Sequence, residues 1–138
     1  MPAHSENFPW ASYYGHFKFF EKQMDGHRFV LSWSTDPDHQ YVYDLELKNG
    51  NKLRVFACEC YSFGSVELDE TLDAVGHVDL ILINGNWCGY TLEAKRDAQQ
   101  KKIGVYNIGD LMRALPRKEP WTYLSADETE KFKAKGWL

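Results

Sequence analysis

From Val78 to Ile83 every residue but Asp79 is apolar, and the run ends at Asn84-Gly85-Asn86, a chain-breaking cluster. A strand that is apolar on both of its alternating faces has to be covered on both sides, the condition of a strand inside an α/β sheet. Ile103 to Tyr106 repeats the pattern. The rest of the chain must supply the covering helices, and amphipathic patterns for them are present. Residues 9–25 carry Trp10, Tyr14, Phe17, Glu21 and Met24 at three- and four-residue steps, with Pro9 in the first turn and Gly26 as the stop. Residues 66–76 place Val66, Leu68, Leu72 and Val75 in an acidic helical pattern that ends at Gly76. Gly109 to Leu115 reads as a short helix stopped by Pro116, and Ser125 with Glu128 forms a capping box for a last helix through Lys135, with Gly136 past its end.

The first third of the sheet has strand patterns of another kind. Arg28 to Trp33 favours a strand, broken by Asp36-Pro37-Asp38. Tyr41 to Lys48 and Lys52 to Tyr61 flank Asn49-Gly50, the strongest short hairpin signal. A two-residue turn there sets Asp44 opposite Val55, on the side of the sheet shared by Ala57 and Glu59, with Cys58 and Cys60 pointing the other way. The order helix, three strands, helix, strand, helix, strand, helix predicts an α/β fold, a single mixed β-sheet flanked by helices.

With 138 residues, 43% hydrophobic and 15% aromatic, the chain suffices for one core, so a single domain over 1–138 is expected. No apolar run approaches the length of a membrane span, and Met1 to Ser5 lacks the basic and apolar blocks of a signal peptide; a cytoplasmic protein with no membrane association is the expectation. The three cysteines then read as reduced thiols, at spacings that do not match a zinc ribbon or knuckle. The net charge of −4 is unevenly spread: residues 1–92 hold 6 Lys/Arg against 13 Asp/Glu, residues 93–138 hold 10 against 7. An acidic balance gains little from long-range attraction to nucleic acid, although the basic final third could follow a phosphate backbone. No phosphate-binding loop, dinucleotide glycine motif, nucleophile elbow or His-Glu-x-x-His pattern is present.

One stretch spells a whole catalytic set. Asp79, thirteen residues, then Glu93-Ala94-Lys95 has the lettering of the PD-(D/E)XK nucleases, in which two carboxylates hold Mg²⁺ or Mn²⁺ and a lysine helps polarise the attacking water. Two readings of 91–101 compete. As a strand hairpinned to Val78–Ile83 through Asn84-Gly85-Asn86-Trp87, Tyr90 to Lys95 would set Leu92 opposite Asp79, with Glu93 one step away. As a helix capped by Thr91, the segment would use its many strong helix formers, with acid at its start and lysines at its end. Local propensity favours the helix, on which Glu93 and Lys95 face different directions.

Gly89-Tyr90-Thr91-Leu92-Glu93-Ala94-Lys95-Arg96-Asp97-Ala98 and Ile103-Gly104-Val105-Tyr106-Asn107-Ile108-Gly109-Asp110-Leu111-Met112 resemble the second half of the Mrr-type restriction endonuclease domain. There a Thr-bearing turn caps a helix with alanines four apart, leading to a buried strand and a short Leu-Met helix. The upstream order is similar too: an early helix with a Glu, a hairpin carrying the site, a helix and a buried strand. The resemblance covers roughly 12–115, the nuclease-like core, and leaves 116–138 as a C-terminal helical extension. It implies a restriction-endonuclease-like fold of the PD-(D/E)XK superfamily with a degenerate site. The helix Glu falls on Glu21, the first metal carboxylate on Asp44, and the Gln/Glu-x-Lys element within Phe56-Ala57-Cys58-Glu59-Cys60-Tyr61-Ser62. One placement puts Ala57 at the acid position and Glu59 at the lysine position. The other makes Glu59 the second carboxylate and Tyr61 the lysine position, which leaves Glu59 opposite Gln40, about 13 Å along the strands from Asp44. Neither keeps the lysine.

Two function classes follow. The resemblance implies a domain that acts on or binds DNA or RNA, a metal-dependent nuclease with an atypical site. Its catalytic residues would be Asp44, Glu59 and Glu21, with Asp44 and Glu59 on Mg or Mn, or Asp79 and Glu93 on the metal assisted by Lys95. The alternative is a non-catalytic inhibitor or immunity protein on the same scaffold, whose acidic N-terminal part engages a basic protein partner. The sequence leaves the oligomeric state open.

Overall fold

The structure, a computed structural model, describes residues 7–11, 14–85 and 88–138. Its elements in chain order are α1 (Tyr14–Gly26), β1 (Val30–Thr35), β2 (Val42–Leu47), β3 (Lys52–Cys58), α2 (Ser65–Val75), β4 (Leu80–Ile83), α3 (Leu92–Gln100), β5 (Gly104–Tyr106), α4 (Ile108–Ala114) and α5 (Ala126–Ala134). The strands form one five-stranded mixed sheet in the order β1-β2-β3-β4-β5. The first three are antiparallel, and β4 and β5 run parallel to β3. The fold is therefore α/β, one mixed sheet flanked by helices. Among the described residues no helix is long and apolar enough to cross a membrane.

Both parallel crossovers step the same way along the sheet, and crossovers of one hand then leave their helices on one face. Leu68 of α2 and Ala94 and Ala98 of α3 pack there against Phe56, Cys58, Ile81, Ile83 and Val105. On the other face, Phe20 and Met24 of α1 and Leu111 and Ala114 of α4 meet Tyr43, Leu45, Val55, Leu80, Leu82 and Tyr106. All four residues of β4 are buried, as its unbroken apolar run requires. Thr91 accepts from the Ala94 N–H at the start of α3, and Ser125 and Glu128 form the reciprocal capping box of α5.

Residues 91–101 take the helical reading that local propensity favours: α3 starts at Leu92, and β4 pairs with β3 and β5 rather than with a strand from this segment. The structure corrects two expectations. The first helix starts at Tyr14, not at Pro9. Trp10 has φ +50, its carbonyl accepts from Glu59 N–H, and its ring is buried on the α2/α3 face with Phe56 and Phe63, so it belongs to no α1 stripe. Asn86 and Trp87 of the expected break, Met1 to Ser5 and the side chain of Tyr14 lie outside the described residues.

The second correction decides the site. The β2–β3 loop is Lys48-Asn49-Gly50, one residue longer than the expected turn: Leu47 N–H donates to Asn51 O at 2.8 Å, Gly50 N–H donates to Leu47 O at 3.0 Å, and Gly50 has φ +89. Such loops use a glycine at positive φ to rejoin the ladder. The register moves by one, placing Asp44 opposite Arg54 and Tyr43 opposite Val55. A one-residue slip turns side chains to the other face. Asp44 therefore lies on the side of Val42, Phe56 and Cys58, away from Ala57.

Candidate functional site

The residues named from the sequence separate into three clusters. The first lies between α1 and the sheet, in a cleft of about 390 Å³ bordered by Phe17, Lys18, Glu21, Thr35, Gln40, Tyr41 and Tyr43. Glu21 reaches the sheet from α1, where it accepts from the Tyr43 hydroxyl at 2.7 Å and lies 3.5 Å from Lys18 Nζ. Burial, with the Glu21 carboxylate adding to it, raises the Tyr43 phenol well above its ordinary range, so it remains a protonated donor. Glu59 is the first residue past β3 and is 2% exposed. Its carboxylate is engaged by His16 Nδ1 from α1.

Glu59 also explains Gly85, which has φ +96. A Cβ there would meet Cys88 Sγ at 3.3 Å and Glu59 Oε2 at 3.6 Å, so carboxylate and thiol both pack on the bare glycine. The Cys88 thiol is pushed up by burial and by Glu59, Cys60 is pushed up to about 11 by burial, and Cys58 is raised well above its ordinary value by its full enclosure. None has the lowered pKa that marks a reactive thiolate.

The second cluster lies on the opposite face of the sheet, on the stretch of the antiparallel strands beyond Phe56 and Cys58, the residues on which α2 and α3 pack. A polar row runs across the sheet through Ser34, Asp44, Arg54 and Asp79. Arg54 Nη1 reaches both Asp44 oxygens at 3.2 and 3.3 Å, and its Nη2 donates to Asp36. The Arg54 backbone N–H donates to Asp79 Oδ2 at 2.8 Å, and His77 Nε2 lies 3.5 Å from Asp79 Oδ1. The Arg54 side chain, followed by the Asp38 N–H, holds the Asp36 carboxyl below the usual carboxylate range. A shallow cleft of about 440 Å³ lies over this row, with Ser32, Glu46 and Lys52 on its rim.

The third cluster is buried beside β5. Lys95 is 0% exposed, donates to Val105 O at 2.7 Å, lies 3.1 Å from Glu128 Oε1, and stands 4.2 Å from the centre of the Tyr106 ring. The Tyr90 hydroxyl donates to Glu128 Oε2 at 2.5 Å. Burial lowers the Lys95 pKa, and nearby Glu128 offsets part of that. Burial pushes Glu128 up, but Lys95, the Tyr90 hydroxyl and the Ser125 N–H outweigh it, and its carboxyl lies below the ordinary range. The lysine is the more enclosed of the two, 1% against 10% side-chain exposure, which is why desolvation prevails there.

The spelled triad is thus dispersed. Asp79 binds Arg54 N–H at the start of β4, Glu93 is exposed and pairs with Lys135 at 3.6 Å, and Lys95 fastens α5 to the core. Of the hairpin set, Glu21 and Glu59 both meet the α1 side, whereas Asp44 is on the far face. Among the described residues no three His, Cys, Asp or Glu side chains converge as a metal site would require, so the ligands implied for Mg²⁺ or Mn²⁺ are not assembled. His16 and Tyr43 were missed from the sequence, although His16 precedes Phe20 by one helical turn and so shares its sheet-facing side. No protein-family model, curated protein or solved structure matches this chain.

Proposed function

We propose that this chain is a restriction-endonuclease-like α/β domain that binds a basic protein partner, as an inhibitor or immunity protein does, and does not cleave nucleic acid. The order of α1, three antiparallel strands, α2 and a parallel β4 agrees with the resemblance read from the sequence. The observation that carries the reading is the state of the three hairpin carboxylates. Glu21 is taken by Tyr43 and Lys18, Glu59 by His16 and Asp44 by Arg54, and Asp44 lies on the opposite side of the sheet from Glu59. Carboxylates that hold a divalent cation must converge on one point, with oxygens not already engaged by other donors. A basic partner is supported by α2, whose eleven residues include Glu67, Asp69, Glu70 and Asp73 and no Lys, Arg or His, with Val66 74% exposed among them.

One observation favours a second reading, a nuclease with an atypical site: Glu21 and Glu59 both engage the α1 side of the sheet. Two measurements separate the readings. Plasmid and single-stranded DNA are incubated with the protein in Mg²⁺ or Mn²⁺, beside Glu21→Ala and Glu59→Ala. In parallel, a lysine-rich peptide is titrated against the protein and against a double variant, Asp69→Lys with Glu70→Lys. The interaction reading expects intact DNA and a salt-sensitive peptide affinity that falls at least about tenfold on charge reversal. Cleavage abolished by Glu59→Ala overturns it, as does a peptide affinity indifferent to the α2 charges.

A further inference from the structure

The two edges of the sheet differ. At one edge β5 is three residues long and lies against the turn Pro120–Thr122, with the Tyr106 hydroxyl donating to the Pro120 and Tyr123 carbonyls. At the other edge β1 spans six residues, VLSWST, with no charge and no proline. Natural sheets blunt an open edge with charges, prolines, bulges or a covering element. Among the described residues β1 has one of these devices, a bulge at Leu31 between Val30 and Ser32, and Leu31 is 60% exposed.

The ladder shows which backbone groups the edge presents. Asp36 N–H donates to Val42 O, while Val42 N–H donates to His39 O, and this phase makes Ser34 with Asp44 and Ser32 with Glu46 the pairs whose backbone groups face each other across β1 and β2. Trp33 and Thr35 alternate with them, and their N–H and C=O groups point out of the sheet with no hydrogen bond among the described residues.

We propose that β1 pairs antiparallel with β1 of a second copy of this chain, extending the sheet across a two-fold axis at Ser34. Trp33 of each copy faces Thr35 of the other, and the two pairs exchange four backbone hydrogen bonds. Ser34 meets its own equivalent on the axis, where a small neutral side chain opposes itself without penalty. The ends of the strand make self-pairing specific. Arg28 precedes β1 and Asp38 follows it, and neither is ion-paired among the described residues. An antiparallel pair sets each copy's Arg28 end beside the other's Asp38 end, twice by symmetry. Strand addition of this kind draws affinity from the main chain, and six residues bury less than a standard interface, so the dimer dissociates on dilution. This inference is independent of the function proposed above.

Analytical ultracentrifugation of the full chain over a dilution series tests it, with Ser34→Lys, which sets two lysines face to face on the axis, and Thr35→Pro, which deletes an outward N–H that β2 does not use. The expected result is a monomer–dimer equilibrium weakened at least tenfold by either variant, with unfolding midpoints near that of the parent. Amide exchange at Trp33 and Thr35 slows as concentration rises. A chain that stays monomeric into the sub-millimolar range overturns the proposal, and so does a dimer that ignores both variants or leaves those two amides in fast exchange. An added extended peptide that slows the same amides while the chain remains monomeric overturns self-pairing in favour of a foreign strand.

Discussion

Among the basic side chains that hold carboxylates, Lys95 and Arg54 sit in different halves of the sheet. In the parallel half, covered on both faces, Lys95 is sealed under α3 and α5 with Glu128, Tyr90 and the Val105 carbonyl. In the antiparallel half, on the stretch beyond the α2 and α3 contacts, Arg54 lies between Asp36 and Asp44 with its side chain 30% exposed. Their chemistry is alike and their surroundings are opposite. A buried charge stripped of its partner cannot turn to water, whereas an exposed one can, so the first cluster is coupled to folding and the second largely is not.

The sharpest way to break that comparison is to remove one member of the buried set. Lys95→Ala strips Glu128 of its buried cationic partner and opens a void beside it, and unfolding by urea is expected to show a loss of about 3–5 kcal/mol. Adding Glu128→Gln to Lys95→Ala relieves the stranded charge, so the double variant falls short of the summed single losses by at least about 1 kcal/mol. Additive losses would show that Lys95 is held by packing and the Val105 carbonyl alone. The same pair sets an acid limit. The folded Glu128 carboxyl titrates below its ordinary value of 4.5, so its contribution is complete above that pH and is lost as the pH falls through the folded value. Glu128→Gln should flatten the drop in stability below about pH 4.5. Asp36, lowered by Arg54, leaves a smaller residual slope in the same direction.

What could be read from the sequence divides along the same line. The covered half was legible because its signals are local. Apolar runs define β4 and β5, Thr91 and Ser125 mark helix starts to the residue, and the helix-forming composition of 92–102 outweighs the nuclease-like spelling of Glu93 and Lys95. The antiparallel half depends on register, and register depends on one loop residue. Asn49-Gly50 announced a hairpin correctly, but Lys48 joined the loop, and that moved Asp44 to the face opposite Ala57. The α1 stripe failed in a similar way. Trp10 has the right spacing, yet its ring serves the other core and its carbonyl serves Glu59, contacts that no local pattern encodes.

Gly50→Ala probes that register directly. At φ +89 an alanine is strained, and a loss of about 1–2 kcal/mol is expected in equilibrium unfolding. If Asn49-Gly50 rearranged into a two-residue turn under this substitution, Asp44 would exchange faces with Tyr43, and NMR contacts between Tyr43 and Phe20 would vanish. Retention of those contacts with the stated loss keeps the three-residue loop.

The smallest effect is the most discriminating about Asp44. Its carboxylate is 46% exposed, and Arg54, its partner, has Asp36 as a second anchor. Asp44→Ala should therefore cost less than about 1 kcal/mol, and raising the salt should shrink the difference further, since exposed pairs are screened. Arg54→Ala releases Asp36 and Asp44 together and should exceed it, while remaining well below Lys95→Ala. A metal ligand would behave in the reverse order: Asp44→Ala would abolish Mn²⁺ uptake, whereas Arg54→Ala, by freeing two carboxylates, would strengthen it. Measuring stability and Mn²⁺ binding on the same two variants therefore asks one question of the Arg54 face, whether its carboxylates are occupied by Arg54 or merely waiting beside it.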